Sequence, residues 1–172
     1  MKALTLTQPW ATLAAIGAKK IETRNWSTSY RGSLAIHAAK GYGKGGMKAH
    51  KALCGTEPFC SVLSAACERH YAPYSGLKEL VEHPFMPTGA IVAVCELAAI
   101  WPTTVRNGEA CYCTRVDRRG GHNEYVIVDD QERAFGDYTP GRYAWLLADI
   151  RALPEPIPAK GALGLWEYEG VL

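Results

Sequence analysis

The sequence predicts an α+β fold in which a small mixed β-sheet, closed or nearly closed into a β-barrel, is flanked by helices. At least six short segments have the apolar pattern of strands, whereas two have a clear helical period. A chain of 172 residues, 48% of them hydrophobic and 21% charged, can bury one core. Closure also removes exposed strand edges. We therefore expect one domain over residues 1–172.

The first two elements are a half-buried strand and a helix. Residues 3–7 alternate between apolar and polar side chains, which is the period of a strand. Pro9 suits the first position of the following helix, where a missing N–H costs nothing, and Trp10 and Leu13 lie on its apolar side. Gly17 is expected to end this helix as a left-handed C-terminal cap.

Two strands and a loop follow the first helix. The strand over residues 19–24 is short, so we expect it at an edge of the sheet or in the wall of a cleft. Residues 32–39 alternate as a second strand, with His37 on the face opposite Ile36. The glycines of residues 40–46 predict a mobile basic loop.

The rest of the chain predicts one helix and several strands. Pro58 begins a helix in which apolar residues recur at i, i+3, i+4 and i+7 from Phe59. Residues 90–100 are nearly all apolar, which indicates a strand covered on both faces. Turn signals at residues 107–108 and 120–121 predict a hairpin. Further strands are expected over residues 125–128, 142–147 and 165–168.

Charge is distributed unevenly along a chain whose net charge is only +2. Residues 1–56 contain nine basic residues and the single acid Glu22, whereas residues 57–172 contain ten basic and sixteen acidic residues. Residues 24–51, which we name the basic segment, combine cations with aromatic rings and suit a polyanion with stackable bases. The alternative is a solvated surface whose positive charge is balanced by the acidic residues of the segment over residues 57–172. The cations expected to contact a nucleic-acid backbone are Arg31, Lys40, Lys44, Lys48 and Lys51.

The composition also bears on location and chemical class. The longest apolar stretch, residues 90–101, contains Glu96 and is shorter than the roughly 20 residues that cross a bilayer. The N-terminus lacks the continuous apolar run of a secretory signal, so we expect a cytoplasmic protein that does not bind membranes. The six cysteines are expected as reduced thiols. The motifs of kinases, lipases and zincins do not occur in the sequence.

Two sets of side chains have tolerable spacing for zinc, but neither contains a Cys-x-x-Cys pair. The first set joins two separate helical half-sites and therefore requires a tertiary coincidence. We expect no metal and no cofactor. The two sets are His50, Cys54, Cys67 and His70, and Cys111, Cys113 and His122.

Residues 17–24, Gly-Ala-Lys-Lys-Ile-Glu-Thr-Arg, fit the pattern GxKxxExR, and this segment resembles the signature of the ASCH domain family. The Gln-Pro-Trp-Ala run at residues 8–11, Trp26 and the strand from Gly32 are similar to the N-terminal half of the same family. Four later segments of the chain resemble later strands and loops of the family, namely residues 89–94, 135–138, 143–145 and 164–166. The resemblance therefore covers nearly the whole chain.

The resemblance implies a PUA-like β-barrel with a cleft lined by the motif, in a superfamily that mostly binds RNA, DNA or modified bases. Some family members resemble plain nucleic-acid binders. Others are hydrolases, namely single-strand ribonucleases and an amidohydrolase that acts on acetylated cytidine. The amidohydrolase pattern has a lysine at the position of Lys19 but a threonine where this chain has Glu22. A protein-interaction adaptor is a third possibility, which leaves the basic segment unexplained.

Opposite charges in the motif suit recognition of a nucleobase. Arg24 offers a planar fork of donors, and Glu22 accepts from base N–H groups. The alternative is a structural salt bridge between strand neighbours. Strict alternation puts Lys20 on the same side as these two residues. Lys19 points inward only if the chain turns after Gly17.

Acidic side chains extend the predicted site. Glu96 lies in an apolar strand, where an ionised carboxylate without a partner is costly, so it must be paired, exposed at a cleft or protonated. We pair it with Lys19. For hydrolysis, the lysine acts as the base, and Glu96 or Glu22 handles the leaving-group proton. The alternative is a structural ion pair that closes the barrel.

The loop over residues 135–142 is expected to fold over the cleft, where Tyr138 supplies a hydroxyl and Arg142 a second cation. Asp137 has the alternative role of holding the loop through a turn hydrogen bond. Trp26 has polar neighbours and is the better candidate for base stacking, whereas Trp10 suits the core. The leading interpretation is a monomer that binds single-stranded RNA or a nucleobase, and the alternative is a metal-independent hydrolase of RNA or an acylated cytidine.

Overall fold

A computed structural model describes residues 1–70, 86–116 and 122–171 of the protein. This part of the chain contains four helices and eight strands. The helices are α1 (Trp10–Ala15), α2 (Gly46–Cys54), α3 (Phe59–His70) and α4 (Asp130–Ala134). The strands are β1 (Lys2–Leu6), β2 (Ile21–Arg24), β3 (Gly32–Ala38), β4 (Ala90–Arg106), β5 (Glu109–Val116), β6 (His122–Ile127), β7 (Tyr143–Pro158) and β8 (Leu165–Glu167).

The eight strands form a mixed sheet, which confirms the α+β class. The strand order is β2-β7-β4-β3-β1-β8, and β5 pairs with both β4 and β6. β1 runs parallel to β3 and antiparallel to β8, whereas β2 runs antiparallel to β7. In the residues described, this order is an open path, so strand pairing does not show a closed barrel. The expected edge position of β2 is confirmed.

The chain divides into two compact units, and each has its own core. The first unit comprises residues 1–19, 33–95 and 149–172, and the second comprises residues 20–32 and 96–148. The first core is built on Ala3, Ala35, Ile91 and Tyr168, with Leu153, Ile157, Ala159 and Trp166 packed against them. The second is built on Tyr112, Val128, Tyr138 and Ala144, with Ile21, Trp101, Ala110 and Leu146 packed against them.

Local signals located several elements correctly. The helix predicted from Pro58 is present: α3 begins at Phe59, one residue after the expected start, and buries Leu63 and Ala66 on its apolar face. The Asn107-Gly108 turn joins β4 to β5, and both residues have positive φ, 51° and 82°. These are the angles that a two-residue hairpin turn requires. The second turn signal, residues 120–121, lies outside the described residues.

The structure corrects other expectations. α2 was not among the predicted helices, although the spacing of His50 and Cys54 was treated as helical, because the glycines before it outweighed the good helix formers over residues 47–54. The prediction also missed α4, which begins after Asp129, whose side chain accepts from Glu132 N at 2.7 Å. Helix α1 begins at Trp10, so Pro9 occupies the N-cap, one position earlier than expected.

Burial along β3 and β4 also differs from the prediction. Residues 34–38 of β3 are all buried, so both of its faces are covered, including the face that carries His37. β4 is buried almost throughout residues 90–95, as expected, but extends six residues beyond the predicted end, to Arg106. Among the described residues, none of the helices has the length and hydrophobicity needed to cross a membrane.

Candidate functional site

The motif begins where α1 ends. Gly17 has a φ of +74°, and its N–H donates to the carbonyl oxygen of Ala14 at 2.9 Å. The N–H of Ala18 donates to the carbonyl oxygen of Leu13 at 3.0 Å. Together these bonds form a Schellman motif, which ends a helix with a left-handed residue. The predicted cap at Gly17 is therefore confirmed.

The two motif lysines have opposite environments. Lys19, the last residue of the first unit, is 1% exposed, whereas Lys20, the first residue of the second unit, is exposed. Neither residue belongs to a helix or strand, so the alternation of side chains along β2 does not extend to them. The turn after Gly17 takes the side chain of Lys19 into the protein. Strand alternation was expected to put Lys20 on the side of Glu22 and Arg24, but Lys20 precedes the strand, so alternation does not determine its side.

Glu22 and Arg24 lie on one face of β2 and pair with each other. Arg24 Nε is 3.0 Å from Glu22 Oε1, and the side chains of Arg24 and Glu22 are 26% and 11% exposed. The antiparallel register with β7 places Glu22 opposite Trp145, which is fully buried. Removing one partner of such a sheltered pair leaves a largely buried charge, unlike at a solvated surface bridge.

Glu132 holds the start of the motif strand and was missed by the sequence reasoning. Its Oε2 accepts from Lys20 N at 2.8 Å, and its Oε1 accepts from Ile21 N at 3.1 Å. Glu132 is 7% exposed and stands at the third position of α4, after the N-cap Asp129. The spacing Asp-x-x-Glu at residues 129–132 is a capping-box signal that could have located α4. The side chain binds β2 instead of its own helix.

The loop over residues 135–142 is tied to β2 at Thr23. Asp137 N donates to Thr23 Oγ1 at 3.1 Å, and the Arg142 guanidinium donates to Thr23 O at 3.3 Å. Asp137 Oδ1 accepts from the N–H and hydroxyl of Thr139, at 3.1 and 2.8 Å, and Oδ2 is 3.4 Å from Arg142. The turn role weighed for Asp137 is confirmed, and its hydrogen bonds lower the pKa of this carboxyl.

Tyr138 has a buried hydroxyl that has no hydrogen-bond partner in the described part of the chain. The residue is 4% exposed. Burial, followed by the charges of Glu132 and Glu22, raises the pKa of Tyr138 far above its usual value. The phenol therefore keeps its proton at neutral pH, so it can donate a hydrogen bond but cannot act as a phenolate base.

The two candidate stacking rings are both partly buried. Trp26 packs edge-on against Trp145 with ring centroids 4.6 Å apart, and Trp145 Nε1 donates to Trp26 O at 3.3 Å. Trp10 packs edge-on against Phe59 at 6.3 Å. Trp26 belongs to the second unit with β2, and its partial exposure leaves some ring surface accessible.

The cations of the basic segment lie mainly on the surface. Lys40, Lys44 and Lys48 of the first unit and Arg31 of the second are exposed, and Lys51 is partly buried in α2. The Arg31 guanidinium donates to the carbonyl oxygens of its own loop, at 2.9 and 2.6 Å. Two of these lysines, Lys48 and Lys51, therefore lie about one turn apart on helix α2 and not on an irregular loop.

Glu96 does not have the environment expected from its apolar neighbours. Its side chain is exposed on β4, so it does not need a buried cationic partner and the reason for pairing it with Lys19 disappears. The error arose because an apolar run in the sequence does not ensure that the whole strand is buried. One end of β4 is covered on both faces, whereas the other end has an exposed face.

No cluster of potential metal ligands occurs in the described part of the chain. Cys54 Sγ lies 3.8 Å from His50 Nδ1, within one helix, and Cys67 is buried. None of the five cysteines whose side chains are described, Cys54, Cys60, Cys67, Cys95 and Cys111, forms a disulfide. The side chains of His70, Cys113 and His122, which belonged to the two candidate zinc sets, lie outside the description.

Comparison with known proteins adds one family match. The model of the family described as ASCH domain matches residues 4–156, which include the motif, β2 and the loop over residues 135–142. No curated protein matches the chain. The match agrees with the resemblance carried by the GxKxxExR pattern.

Proposed function

Because the chain belongs to the ASCH domain family, whose membership indicates a function connected with nucleic acids, we propose that it binds single-stranded RNA or a nucleobase on the face of β2 that carries Glu22 and Arg24. The observation that carries the proposal is the sheltered pair of these two side chains. A carboxylate and a guanidinium side by side offer an acceptor and a planar set of donors, which matches the edge of a base.

Two buried polar atoms beside this strand support a bound ligand. Tyr138 Oη and Arg142 Nε are buried and have no hydrogen-bond partner in the described residues. Each such atom costs about 1–3 kcal/mol, and native proteins usually satisfy them. A base oxygen or phosphate that accepts from these donors removes that cost. The same loop contacts Thr23, whose side chain lies on the face of β2 opposite Glu22 and Arg24. These donors therefore support a ligand near β2 but do not by themselves place it on the face that carries the ion pair.

The remaining parts of the proposal concern the path of the bound RNA strand and the setting of the site. The exposed cations Arg31, Lys40, Lys44 and Lys48, with Lys51, guide the phosphate backbone, and Trp26 stacks on a base. We place this activity in a PUA-like barrel, in a cytoplasmic monomer whose partner is RNA or a modified nucleoside. The family match supports the PUA-like fold and the connection with nucleic acids.

The test of base recognition is Glu22→Gln, measured by fluorescence anisotropy with labelled oligoadenylate, oligocytidylate and oligouridylate. The amide turns one acceptor into a donor, so we expect the ratios between the three affinities to change about three- to tenfold. Glu155→Gln is the matched control, because Glu155 is exposed in β7. An equal loss for all three oligonucleotides would show that Glu22 is structural and would contradict the proposal.

Salt dependence tests the role of the cations. Four phosphate contacts give a slope of about −3 for log affinity against log salt, at about −0.7 for each phosphate of a single strand. Replacing Lys40 and Lys44 by glutamine should make the slope shallower by about 1.4, which is two contacts at about 0.7 each. A flat response in the wild-type protein would rule out the basic segment as the backbone contact.

The hydrolase alternative is favoured by one observation, the burial of the long cationic side chain of Lys19. A lysine held in the protein interior beside the motif is suited to proton transfer at a ligand. Incubation with N4-acetylcytidine and with labelled single-stranded RNA, using Lys19→Ala and the exposed-neighbour control Lys20→Ala, decides the matter. Turnover that is lost only in Lys19→Ala would replace the binding function by hydrolysis. Absence of turnover with both substrates would leave binding as the function.

A further inference from the structure

The first unit contains an open cavity of about 900 Å³ that is separate in sequence from the motif strand. Residues from β1, the end of β3 and the two residues after it, residues 88–89 before β4, and the segment over residues 158–163 line it. This volume falls in the range of small-molecule binding sites. Half of the lining residues are alanine, glycine or proline, which leave part of the wall smooth and apolar for a flat ring.

His37 lines this cavity and has one ring nitrogen without a partner. The side chain is 2% exposed, and Nε2 lies 3.1 Å from the carbonyl oxygen of Ala159. Because a carbonyl oxygen only accepts, Nε2 carries the ring proton. Burial lowers the pKa of His37, so the ring is neutral at neutral pH and Nδ1 has a free lone pair. Nδ1 is buried and receives no hydrogen bond from the described residues.

Gly161 brings the cavity wall against the same edge of the ring. A Cβ on this residue would lie 2.5 Å from His37 Nδ1, would contact Cε1 more closely still, and would lie 2.9 Å from Thr5 Oγ1. Only glycine therefore lets the segment over residues 158–163 approach the ring, and its backbone gives no hydrogen to Nδ1. A donor that enters from the cavity, with a small shift of this wall, would satisfy the lone pair.

Two lysines give the cavity a positive charge. Lys40 and Lys160 both line it and are exposed, and none of the described lining residues is acidic. The cavity thus combines an acceptor for an N–H group, apolar walls for a ring and cations for an anion.

We propose that this cavity binds a nucleotide, with a base N–H donating to His37 Nδ1 and a phosphate paired with Lys40 and Lys160. The choice of a nucleotide as ligand rests on the proposed function, whereas the cavity and its unmet acceptor do not. The nucleotide is either free or one residue of an RNA strand. The two sources have the same chemistry, so the test includes both.

The test is calorimetric titration of the full chain with adenosine 5′-monophosphate, whose base has donors only on its amino group. His37→Gln keeps an amide nitrogen for Ala159 and removes the Nδ1 acceptor. We expect about three- to tenfold weaker binding, the loss that one hydrogen bond represents. The N6,N6-dimethyl analogue, which lacks the donor, should bind wild type and variant equally. Gly161→Ala should also weaken binding, and Glu155→Gln is the control.

Binding of a nucleotide that is part of an RNA strand is tested with single-stranded oligoadenylate. Weaker binding of the mononucleotide or the oligonucleotide to His37→Gln supports the proposal and identifies the source. Equal affinity of wild type and variant for both probes overturns it. If the variant does not fold, nitrogen NMR of the wild-type histidine ring replaces it, and an Nδ1 resonance unmoved at saturating ligand overturns the proposal. Base preference in Glu22→Gln tests the proposed function separately, so the two failures are distinguishable.

Discussion

Replacing Glu132 by alanine is expected to destabilise the second unit strongly. The Glu132 carboxylate accepts from two consecutive backbone N–H groups, Lys20 N at 2.8 Å and Ile21 N at 3.1 Å. Alanine removes both acceptors and leaves the two donors unpaired at the start of β2. The strand that carries the motif then loses the contact that joins it to α4.

The two hydrogen bonds set the size of the effect. A hydrogen bond to a charged group contributes about 1.5–3 kcal/mol, so losing both lowers the free energy of unfolding by about 3–6 kcal/mol. Glu132→Gln keeps one acceptor oxygen and should lose about half of that. Losses above about 4 kcal/mol are uncommon for single substitutions, which makes this prediction a demanding one.

Urea denaturation followed by tryptophan fluorescence measures the loss, because Trp26 and Trp145 lie in the same unit as Glu132. Circular dichroism of the same samples checks that one transition is being followed. The control Glu155→Gln removes an exposed carboxylate and should change stability by less than about 0.5 kcal/mol. If Glu132→Ala is as stable as this control, the two hydrogen bonds do not hold β2 and the reasoning fails.

Three further predictions concern the cap, the loop and the tryptophan pair. Gly17→Ala forces a side chain into a φ of +74° and should lower stability by about 1–2 kcal/mol, seen as a lower melting temperature, whereas Gly41→Ala should not. Hydrogen bonds to its carboxylate hold the pKa of Asp137 below the unfolded value, so its contribution is full above about pH 4 and is lost as pH falls through the folded pKa. Asp137→Asn should therefore flatten the acid side of a melting-temperature profile, and an unchanged profile would contradict this. Trp145→Phe removes the 3.3 Å bond to Trp26 O and should cost about 2 kcal/mol with loss of near-ultraviolet dichroism; a spectrum like that of wild type would argue against the pair.

Features that depend on neighbouring residues were predicted well from the sequence. The cap at Gly17, the turn at residues 107–108 and the apolar face of α3 each follow from local chain geometry. The shared face of Glu22 and Arg24 follows from the two-residue period of a strand. These features need no knowledge of what packs against them.

Features that depend on distant contacts were not predictable in this way. Glu132 reaches β2 across 112 residues of sequence, and no local pattern indicates which backbone a buried carboxylate will bind. Glu96 appeared buried because apolar neighbours surround it in sequence, but its own face of β4 is exposed. Lys19 and Lys20 separate because of the turn after the helix, which alternation along β2 does not describe.

The position of β2 at the end of the strand order has a consequence for self-association. Unpaired amides on a border strand invite a strand from another molecule, and growth from such borders leads to fibrils. By accepting from two amides where β2 begins, the Glu132 carboxylate leaves these two N–H groups satisfied, so they are not available to a strand from another molecule. One side chain thus both anchors the motif strand and occupies two of its border amides.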